Sequence, residues 1–494
     1  MVGTQTINKA HQVRYSLRQV WLIWTQCFVL LTGVTLWLIW GRGTTSQIWW
    51  ISLFILLQFA WSIWSWKAVT GTLLDPYVIF LVAAYLFNGG KAILEVFRLN
   101  DEGIGTFLSN DGYVVFSFSA DTIAWALLLV FIGLGSVHLG ALLAALRVRR
   151  KRQRRVLSKA RSAQTVRRVG WFLLVISCAP MVITTIEKYQ VVMQSGYFGL
   201  FQRAPETGFG NLPRILASFM IPGVLFLLAG SKDRPQLQVF SVLIILAYSL
   251  AQAFTGTRLW WVMFVVAYAW LWHRQIAPIP KVVLWTGASV AIFVIFPTIM
   301  VVRNLPGAER VSLSVYIEGF LSPQNPVIAI LREMGGTLLT VAQTLELIPA
   351  VRNFAFRFGY LYYGLTVFPN LFWELHPAVA RGLYSHWLTY MVSPTTYYAG
   401  GGYGFSFIAE AYANFGWIGA PILLGLVGFL FARFVFWGQQ SGDPARSAAI
   451  AAFLAFFLIY VRGESALVVR PLIWYAFGPY FLTRLLSKMV RVCK

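Results

Sequence analysis

The sequence predicts an all-α polytopic membrane protein with about twelve transmembrane helices and a large extracytoplasmic loop late in the chain. Hydrophobic residues make up 58% of the 494 residues, charged residues only 12%, and the mean hydropathy is +0.67. A soluble protein of this length has too little interior to bury so much apolar surface. Uncharged runs such as 20–40 reach the roughly 20 residues that an α-helix needs to cross the hydrocarbon core. Continuous runs also exclude a porin-like barrel, whose strands alternate in short segments.

The apolar runs predict the membrane helices in chain order. They are 20–40, 48–66, 73–90, 121–146, 169–187, 214–230, 237–254, 258–273, 282–301, 416–437, 447–461 and 471–487. Three regions follow from this order. Residues 1–301 form a transmembrane bundle of about nine helices, 302–415 form an extracytoplasmic loop with short interfacial helices, and 416–494 add about three more helices.

One basic connection predicts the orientation. Residues 147–168 carry eleven Lys or Arg and no acid, and such a loop stays in the cytoplasm by the positive-inside rule. Alternation then places both termini in the cytoplasm, with a net charge of +22 on that side and +1 on the outer side. Since a stop-transfer block explains this charge, we expect no nucleic-acid partner. The three cysteines show no disulfide or metal-ligand spacing, so we expect no metal and no cofactor.

The long outer loop is unusual in composition. Loops longer than about 15 residues are usually functional or disordered. The stretch 358–376 is dense in aromatic residues, whereas disordered segments are poor in them. We therefore expect short helices at the outer membrane–water interface.

Several arginines are predicted at the outer ends of membrane helices, namely Arg258, Arg303, Arg462 and Arg470. Cations on this side run against the insertion bias, which indicates specific partners. Because Arg binds phosphate oxygens in a bidentate fork, the four would suit a pyrophosphate at the membrane surface. The alternative is contact with lipid headgroups or pairing with nearby glutamates.

Two glutamates are candidate catalytic carboxylates. Ser406, Glu410 and Asn414 are spaced by four, so they share one face of a predicted helix. A carboxylate in an apolar helix is costly unless it is used or neutralised; a general base and a packing contact are equally consistent with it. Glu333 lies in the long outer loop, where a solvated or salt-bridged side chain is the ordinary expectation.

The sequence resembles the Wzy-type oligosaccharide repeat-unit polymerases. The resemblance rests on the segment 402–419, with Gly-x-Gly-x-Ser, a Glu-bearing helix and Asn-Phe-Gly, which follows the aromatic segment 360–370. The Thr-Gly-Thr-Arg turn at 255–258, Arg303 directly after a membrane helix, and Arg-Gly-Glu-Ser at 462–465 support it.

This resemblance implies a membrane-embedded, GT-C-like glycosyltransferase in the bacterial cytoplasmic (inner) membrane, with its active face outside. The implied reaction moves a growing glycan from undecaprenyl pyrophosphate onto the next lipid-linked repeat unit. The implied partners are this lipid-linked oligosaccharide, membrane lipid and a chain-length-regulating co-polymerase.

The resemblance also implies roles for particular residues. Pyrophosphate recognition falls to Arg258, Arg303, Arg462, Arg470 and Arg203. Glu410, and then Glu333, is the candidate general base. Sugar contacts fall to Tyr360, Tyr363, Trp373, Ser406 and Asn414.

Two alternative functions remain open at this point. A ligase that joins finished glycans to another lipid needs the same outer groove, phosphate site and base. A flippase or other transporter for lipid-linked sugars usually shows repeat symmetry and charges at mid-membrane. Here the charges gather at the outer helix ends, which favours chemistry on the outer face.

Overall fold

The computed structural model describes most of the chain. The described residues are 17–39, 43–108, 115–146, 159–202, 208–257, 259–298, 314, 317, 325–356, 358–370, 373, 376–380, 382–439 and 442–492. Most of the predicted cytoplasmic basic loop, 147–158, lies outside them.

The described chain is almost entirely helical, and we number its α-helices in chain order. They are α1 Leu17–Ile39, α2 Thr45–Thr70, α3 Pro76–Val96, α4 Ala120–Leu146, α5 Lys159–Ser195, α6 Leu212–Ala217, α7 Met220–Ala229, α8 Pro235–Phe254, α9 Leu259–Gln275, α10 Lys281–Val290, α11 Pro326–Gly335, α12 Thr337–Leu347, α13 Phe358–Gly364, α14 Pro377–Ala380, α15 Tyr384–Val392, α16 Pro394–Tyr398, α17 Phe407–Gln439, α18 Pro444–Phe457, α19 Val469–Pro471 and α20 Gly478–Val492. Short 3₁₀ segments cover Tyr197–Leu200, Gly208–Asn211, Leu365–Val367, Leu458–Arg462 and Ser465–Leu467, and π-helical turns cover Ala291–Ile295 and Leu472–Phe477. Strands β1 (Thr106–Leu108) and β2 (Val115–Ser117) form an antiparallel pair with Phe107 opposite Phe116.

Among the described residues, ten helical segments are long and apolar enough to cross a membrane, which confirms an all-α polytopic protein. The predicted total of twelve is not confirmed. The run 258–273 forms α9, which has only 17 residues, and the run 471–487 is divided between the π-helical turn and the 15-residue α20. The run 169–187 extends to the whole of α5, 37 residues long.

Local sequence signals account for several helix ends. α3 begins at Pro76. Proline is tolerated in the first turn because a backbone N–H there would have no acceptor within the helix. The Asp75 side chain accepts a hydrogen bond from the Tyr77 N–H and caps this end. Gly71 directly follows α2 as its C-cap, and its φ of +81° is the left-handed conformation that favours glycine.

Glycines bring α4 and α17 into close contact at the centre of the bundle. A Cβ at Gly140 would overlap the carbonyl oxygen of Gly425, and one at Gly428 would overlap that of Val137. Lipid tails are as apolar as side chains, so helices in a membrane associate through tight packing rather than through the hydrophobic effect. These glycines therefore determine how closely the two central helices pack.

α17 changes direction at Gly416, which has φ +62° and ψ −164°. The sequence predicts a membrane helix that begins at this residue, and the structure extends the helix back to Phe407. The nine residues before the break carry Glu410 and Asn414, both fully buried.

Part of the long loop packs into the bundle. The described residues between 302 and 415 include the short helices α11 to α16. Their predicted position at the outer membrane–water interface stays a prediction. In α12, Thr337–Thr344 are buried, and the helix contacts α3, α4 and α17. This segment thus continues the helical core and supports the elements that form the site.

Candidate active site

A mainly apolar cavity of about 320 Å³ lies between α3, α9 and α11, and we call it the α3–α9 groove. Its apolar lining consists of Ile79, Val82, Ala83, Leu86, Phe87, Leu259, Val262, Met263, Val266, Phe296, Ile330, Met334 and Leu458. Glu333 and Arg462 supply its charged groups, beside Tyr197 and Gly256. Among the described residues that line it, the groove thus combines a long apolar wall with one carboxyl group and one guanidinium.

The charged groups share one end of the groove because of helix packing. The Arg462 guanidinium lies over the Phe87 ring, 5.6 Å from its centroid, so it is near the C-terminal half of α3. α11 crosses α3 slightly further along: a Cβ at Gly90 would lie 2.7 Å from the Leu331 carbonyl oxygen. Glu333 follows Leu331 by two residues, so both charged groups lie near this part of α3.

The glycine-rich segment before α17 supports Arg462. The Phe405 N–H donates to the Arg462 carbonyl oxygen at 3.4 Å. Gly404 has φ +72°, and a Cβ there would lie 3.6 Å from Arg462 Nη2. The glycine therefore permits a sharp backbone turn directly beside the guanidinium.

Two buried glutamates hold the turn that follows Arg462. Glu410 is fully buried, and Ser465 donates to both of its oxygens, from its N–H to Oε1 at 3.0 Å and from its hydroxyl to Oε2 at 2.9 Å. The predicted helix face exists, but its carboxylate is turned toward Ser465. Glu410 thereby positions the segment that carries Arg462.

Glu464 is equally buried and accepts four hydrogen bonds. Its Oε2 accepts from the Tyr363 hydroxyl at 2.7 Å and from the Tyr384 N–H at 2.7 Å. Its Oε1 accepts from the Ser385 N–H at 3.2 Å and from the Ser385 hydroxyl at 2.6 Å. The carboxylate sits at the N-terminus of α15, where the helix dipole stabilises negative charge. Its hydrogen bonds therefore join α13 and α15 to the turn.

Ser406 and Asn414 are fully buried on the same helix face as Glu410. The Ser406 hydroxyl accepts from the Ile408 N–H at 3.1 Å, which caps α17, and it donates to Asn88 Oδ1 at 2.7 Å. Asn414 donates to the Glu410 carbonyl oxygen at 2.9 Å. Their predicted sugar contacts remain predictions, and the geometry shows that both stabilise the start of α17.

The three aromatic residues that the sequence predicts as sugar contacts differ in what they touch. Tyr363 bonds Glu464, and burial together with that carboxylate raises the pKa of its hydroxyl. Tyr360 stacks on Phe415 with centroids 6.1 Å apart. Trp373 packs edge-on against His376 at 5.2 Å. Glu410, Glu464 and the side chains that interact with them form what we call the glutamate cluster. Tyr363 belongs to it through its hydrogen bond, and Tyr360 through its electrostatic interaction with Glu410.

Arg470 forms hydrogen bonds with the backbone of the segment that follows α13. Its Nε and Nη2 donate to the carbonyl oxygens of Thr366 and Phe368, the latter at 3.1 Å. It thus holds the turn after α13. Arg203, Arg258 and Arg303 lie outside the described residues, so their predicted roles remain predictions; the flanking Gly256 and Leu259 line the groove.

Tyr384 and Arg352 also lie at the glutamate cluster, and the sequence does not predict either of them as a site residue. Tyr384 is buried, its ring stacks on Phe405 at 5.3 Å, and its hydroxyl has no hydrogen-bond partner among the described residues. Burial raises its pKa to about 12. The Arg352 guanidinium lies 4.9 Å from the Tyr384 ring and 5.0 Å from that of Trp387. Their sequence neighbourhoods contain no motif, so only the fold brings them together.

Within the described ranges, no group of three or more His, Cys, Asp or Glu is arranged to hold a metal ion. The expectation that the enzyme needs no metal remains a prediction.

The structure thus combines a bundle of apolar helices with a groove whose described lining is mainly apolar and carries a carboxyl group and a guanidinium. Such a groove suits a molecule that joins a long apolar part to a charged group. The model of the family "O-antigen polysaccharide polymerase Wzy" matches residues 22–491, nearly the whole chain, and the chain belongs to this family. The family polymerises O-antigen repeat units and acts on lipid-linked oligosaccharides in membranes, as a glycosyltransferase-type enzyme. No curated protein and no solved structure matches the chain.

Proposed function

We propose that this protein polymerises oligosaccharide repeat units carried on undecaprenyl pyrophosphate, at the outer face of the bacterial cytoplasmic membrane. The observation that carries the proposal is the α3–α9 groove, with its apolar walls and its charged end at Glu333 and Arg462. A polyprenyl chain needs an apolar cleft without charge, and its pyrophosphate needs a cation at the end of that cleft.

Arg462 is the proposed pyrophosphate ligand in the groove. During transfer, an acceptor hydroxyl attacks the anomeric carbon, the bond from that carbon to the pyrophosphate oxygen breaks, and the leaving group gains charge. A fixed guanidinium stabilises this charge, and losing one such contact typically costs about 10²–10³ in rate. Arg258 and Arg303 follow segments whose described residues line the groove, and we propose them, with Arg203 and Arg470, as further ligands.

Glu333 is the better-placed candidate for the general base. It lines the groove, whereas Glu410 is fully buried and accepts from Ser465 with both oxygens. A base must reach the proton that it takes, directly or through one water. We therefore propose that Glu333 accepts the acceptor hydroxyl's proton and that Glu410 positions the 462–465 turn, which reverses the order expected from the sequence.

The outer-face orientation rests on charge. The loop 147–168 carries eleven of the forty Lys and Arg residues, and the positive-inside rule places it in the cytoplasm. Alternation then places the groove's charged end outside, where finished repeat units are polymerised. A co-polymerase that regulates chain length would act from the same face.

The test is the surface polysaccharide profile of a deletion strain that expresses the wild type or a variant at equal membrane levels. We expect Arg462→Lys and Glu333→Gln to leave single capped repeat units without long chains. Arg234→Lys and Glu346→Gln, at exposed residues outside the groove, are the matched controls and should restore long chains.

Other profiles would contradict the proposal. Long polymer made by both groove variants would refute the assigned residues. Absence of any repeat unit outside the cell in the deletion strain would indicate a flippase. Polymer that accumulates without attachment to its final lipid would indicate a ligase.

A further inference from the structure

A second cavity, of about 420 Å³, opens between the N-terminal end of α2 and the C-terminal end of α3. Thr45, Ser46, Trp49, Glu95 and Arg98 line it, and we call it the α2–α3 pocket. None of these residues belongs to the groove lining or to the glutamate cluster. The pocket offers an aromatic face, a carboxylate, a guanidinium and two hydroxyls to one bound molecule.

Two of these side chains are held in place before any ligand arrives. The Trp49 indole N–H donates to the Val96 carbonyl oxygen at 3.2 Å, which fixes the ring against α3. Asn100 donates to Glu95 Oε2 at 2.8 Å and to the Lys91 carbonyl oxygen at 3.0 Å. Among the described residues Glu95 Oε1 accepts no hydrogen bond. Ordered side chains of this kind reduce the entropy lost when a ligand binds.

Arg98 occupies a position where glycine is favoured. The Arg98 N–H donates to the Glu95 carbonyl oxygen, and the Leu99 N–H donates to that of Leu94. α3 therefore ends in a Schellman motif, in which Arg98 is the residue with the left-handed conformation. Its φ is +55°, a conformation that disfavours side chains with a Cβ. The arginine thus stands in a strained position, with its side chain lining the pocket.

The pocket is connected to the groove through α11. Asp101, three residues after Arg98, forms an ion pair with Arg332 at 3.1 Å. Arg332 directly precedes Glu333, and a Cβ at Gly90 would lie 3.0 Å from the Gly335 Cα, so α11 rests against α3 between the two cavities. Groove and pocket therefore lie on the same side of the membrane, near the C-terminal end of α3.

We propose that the α2–α3 pocket binds neutral sugar units of the glycan, apart from the bond that reacts. A sugar ring has apolar C–H faces that pack on an indole, and hydroxyls that both donate to Glu95 and accept from Arg98. A free phosphate or an anionic headgroup fits less well, because the Glu95 carboxylate shares the pocket with Arg98. The inference rests on the proposed function, since it assigns a second contact to the same glycan substrate.

The test measures binding of lipid-free O-antigen oligosaccharide, released by mild acid, to the purified full chain in lipid nanodiscs by calorimetry. Trp49→Ala and Arg98→Gly should each raise the Kd roughly tenfold or more, since truncating an anchor side chain has this effect. Arg98→Gly also relieves the positive φ, so the change adds no backbone strain that could by itself reduce binding. Trp24→Ala, at a residue 71% exposed on α1, is the matched control and should bind as the wild type does.

Three results would overturn the proposal: no binding to the wild type, unchanged binding in both pocket variants, or displacement of the oligosaccharide by inorganic phosphate. Arg462→Lys separates the two proposals, because it should abolish polymerisation and leave oligosaccharide binding unchanged. If Arg462→Lys polymerises normally while the pocket variants lose binding, the groove assignment fails and the pocket remains a glycan site.

Discussion

The central helix contact predicts a sharp difference between two glycines on α17. A Cβ at Gly428 would overlap the Val137 carbonyl oxygen and lie 2.7 Å from its carbon, whereas a Cβ at Gly425 would meet only the Ser136 carbonyl oxygen at 3.5 Å. Ordinary contacts begin at 3.4 Å, so Gly428→Ala would separate the helices by roughly 0.7 Å or more in a close-packed interior. Such overpacking costs about 1–3 kcal/mol, and the atoms that must yield are backbone.

The fluorescently tagged protein is heated in detergent, and size-exclusion chromatography then measures how much of it remains folded. The quantity compared is the midpoint temperature of this thermal denaturation. Gly428→Ala should lower the midpoint by a few °C, and Gly425→Ala should leave it unchanged or raise it slightly. Both changes gain the same helix propensity, about 1 kcal/mol, so the comparison isolates the helix contact. Equal midpoints for the two variants would refute the packing argument.

Two further predictions concern the segments around the cluster. Glu464→Ala would leave four hydrogen-bond donors without their acceptor, of which the Tyr363 hydroxyl and the Tyr384 N–H are buried. Each buried unsatisfied donor costs about 1–3 kcal/mol, so the protein should lose at least ~2 kcal/mol of stability, seen as a fall in the same midpoint. A midpoint like the wild type's would contradict this. His376 accepts from the Ala378 N–H through Nδ1 and donates to the Phe368 carbonyl oxygen, and burial lowers its pKa. The folded state thus favours neutral His376, so stability should fall as the pH drops below about 6.5. His376→Gln should flatten this part of the stability–pH curve. An unchanged curve would show that His376 does not cause the pH dependence.

Much of the fold could be predicted from the sequence because lipid requires long apolar helices, and these are visible in the residue pattern. The direction change at Gly416 also coincides with the predicted start of a membrane helix. The number of spans was harder to predict, because α9 is short and the last run contains a π-helical turn. Hydropathy does not report where such a run changes its hydrogen-bonding pattern.

The candidate site was predictable only in part. The sequence indicates Arg462 and Glu410 as candidate site residues, and the turn 462–465 contains the first and contacts the second. The hydrogen bonds around them could not be found, because they join residues distant in sequence: Ser465 donates to Glu410, Ser406 to Asn88, and the Tyr384 N–H to Glu464. The sequence predicts Glu333 to be a solvated or salt-bridged loop residue. It does not show that α11 packs onto α3, and this packing is why Glu333 lines the groove.

The most direct test of the groove assignment is polymerisation by the purified protein in liposomes that contain only undecaprenyl-pyrophosphate-linked repeat units. The wild type should produce a ladder of polymers. Ala83→Trp, which fills the apolar part of the groove, should abolish the ladder, whereas Leu243→Trp at an exposed position on α8 should preserve it. A normal ladder from a correctly folded Ala83→Trp variant would show that the lipid-linked substrate does not bind in the groove.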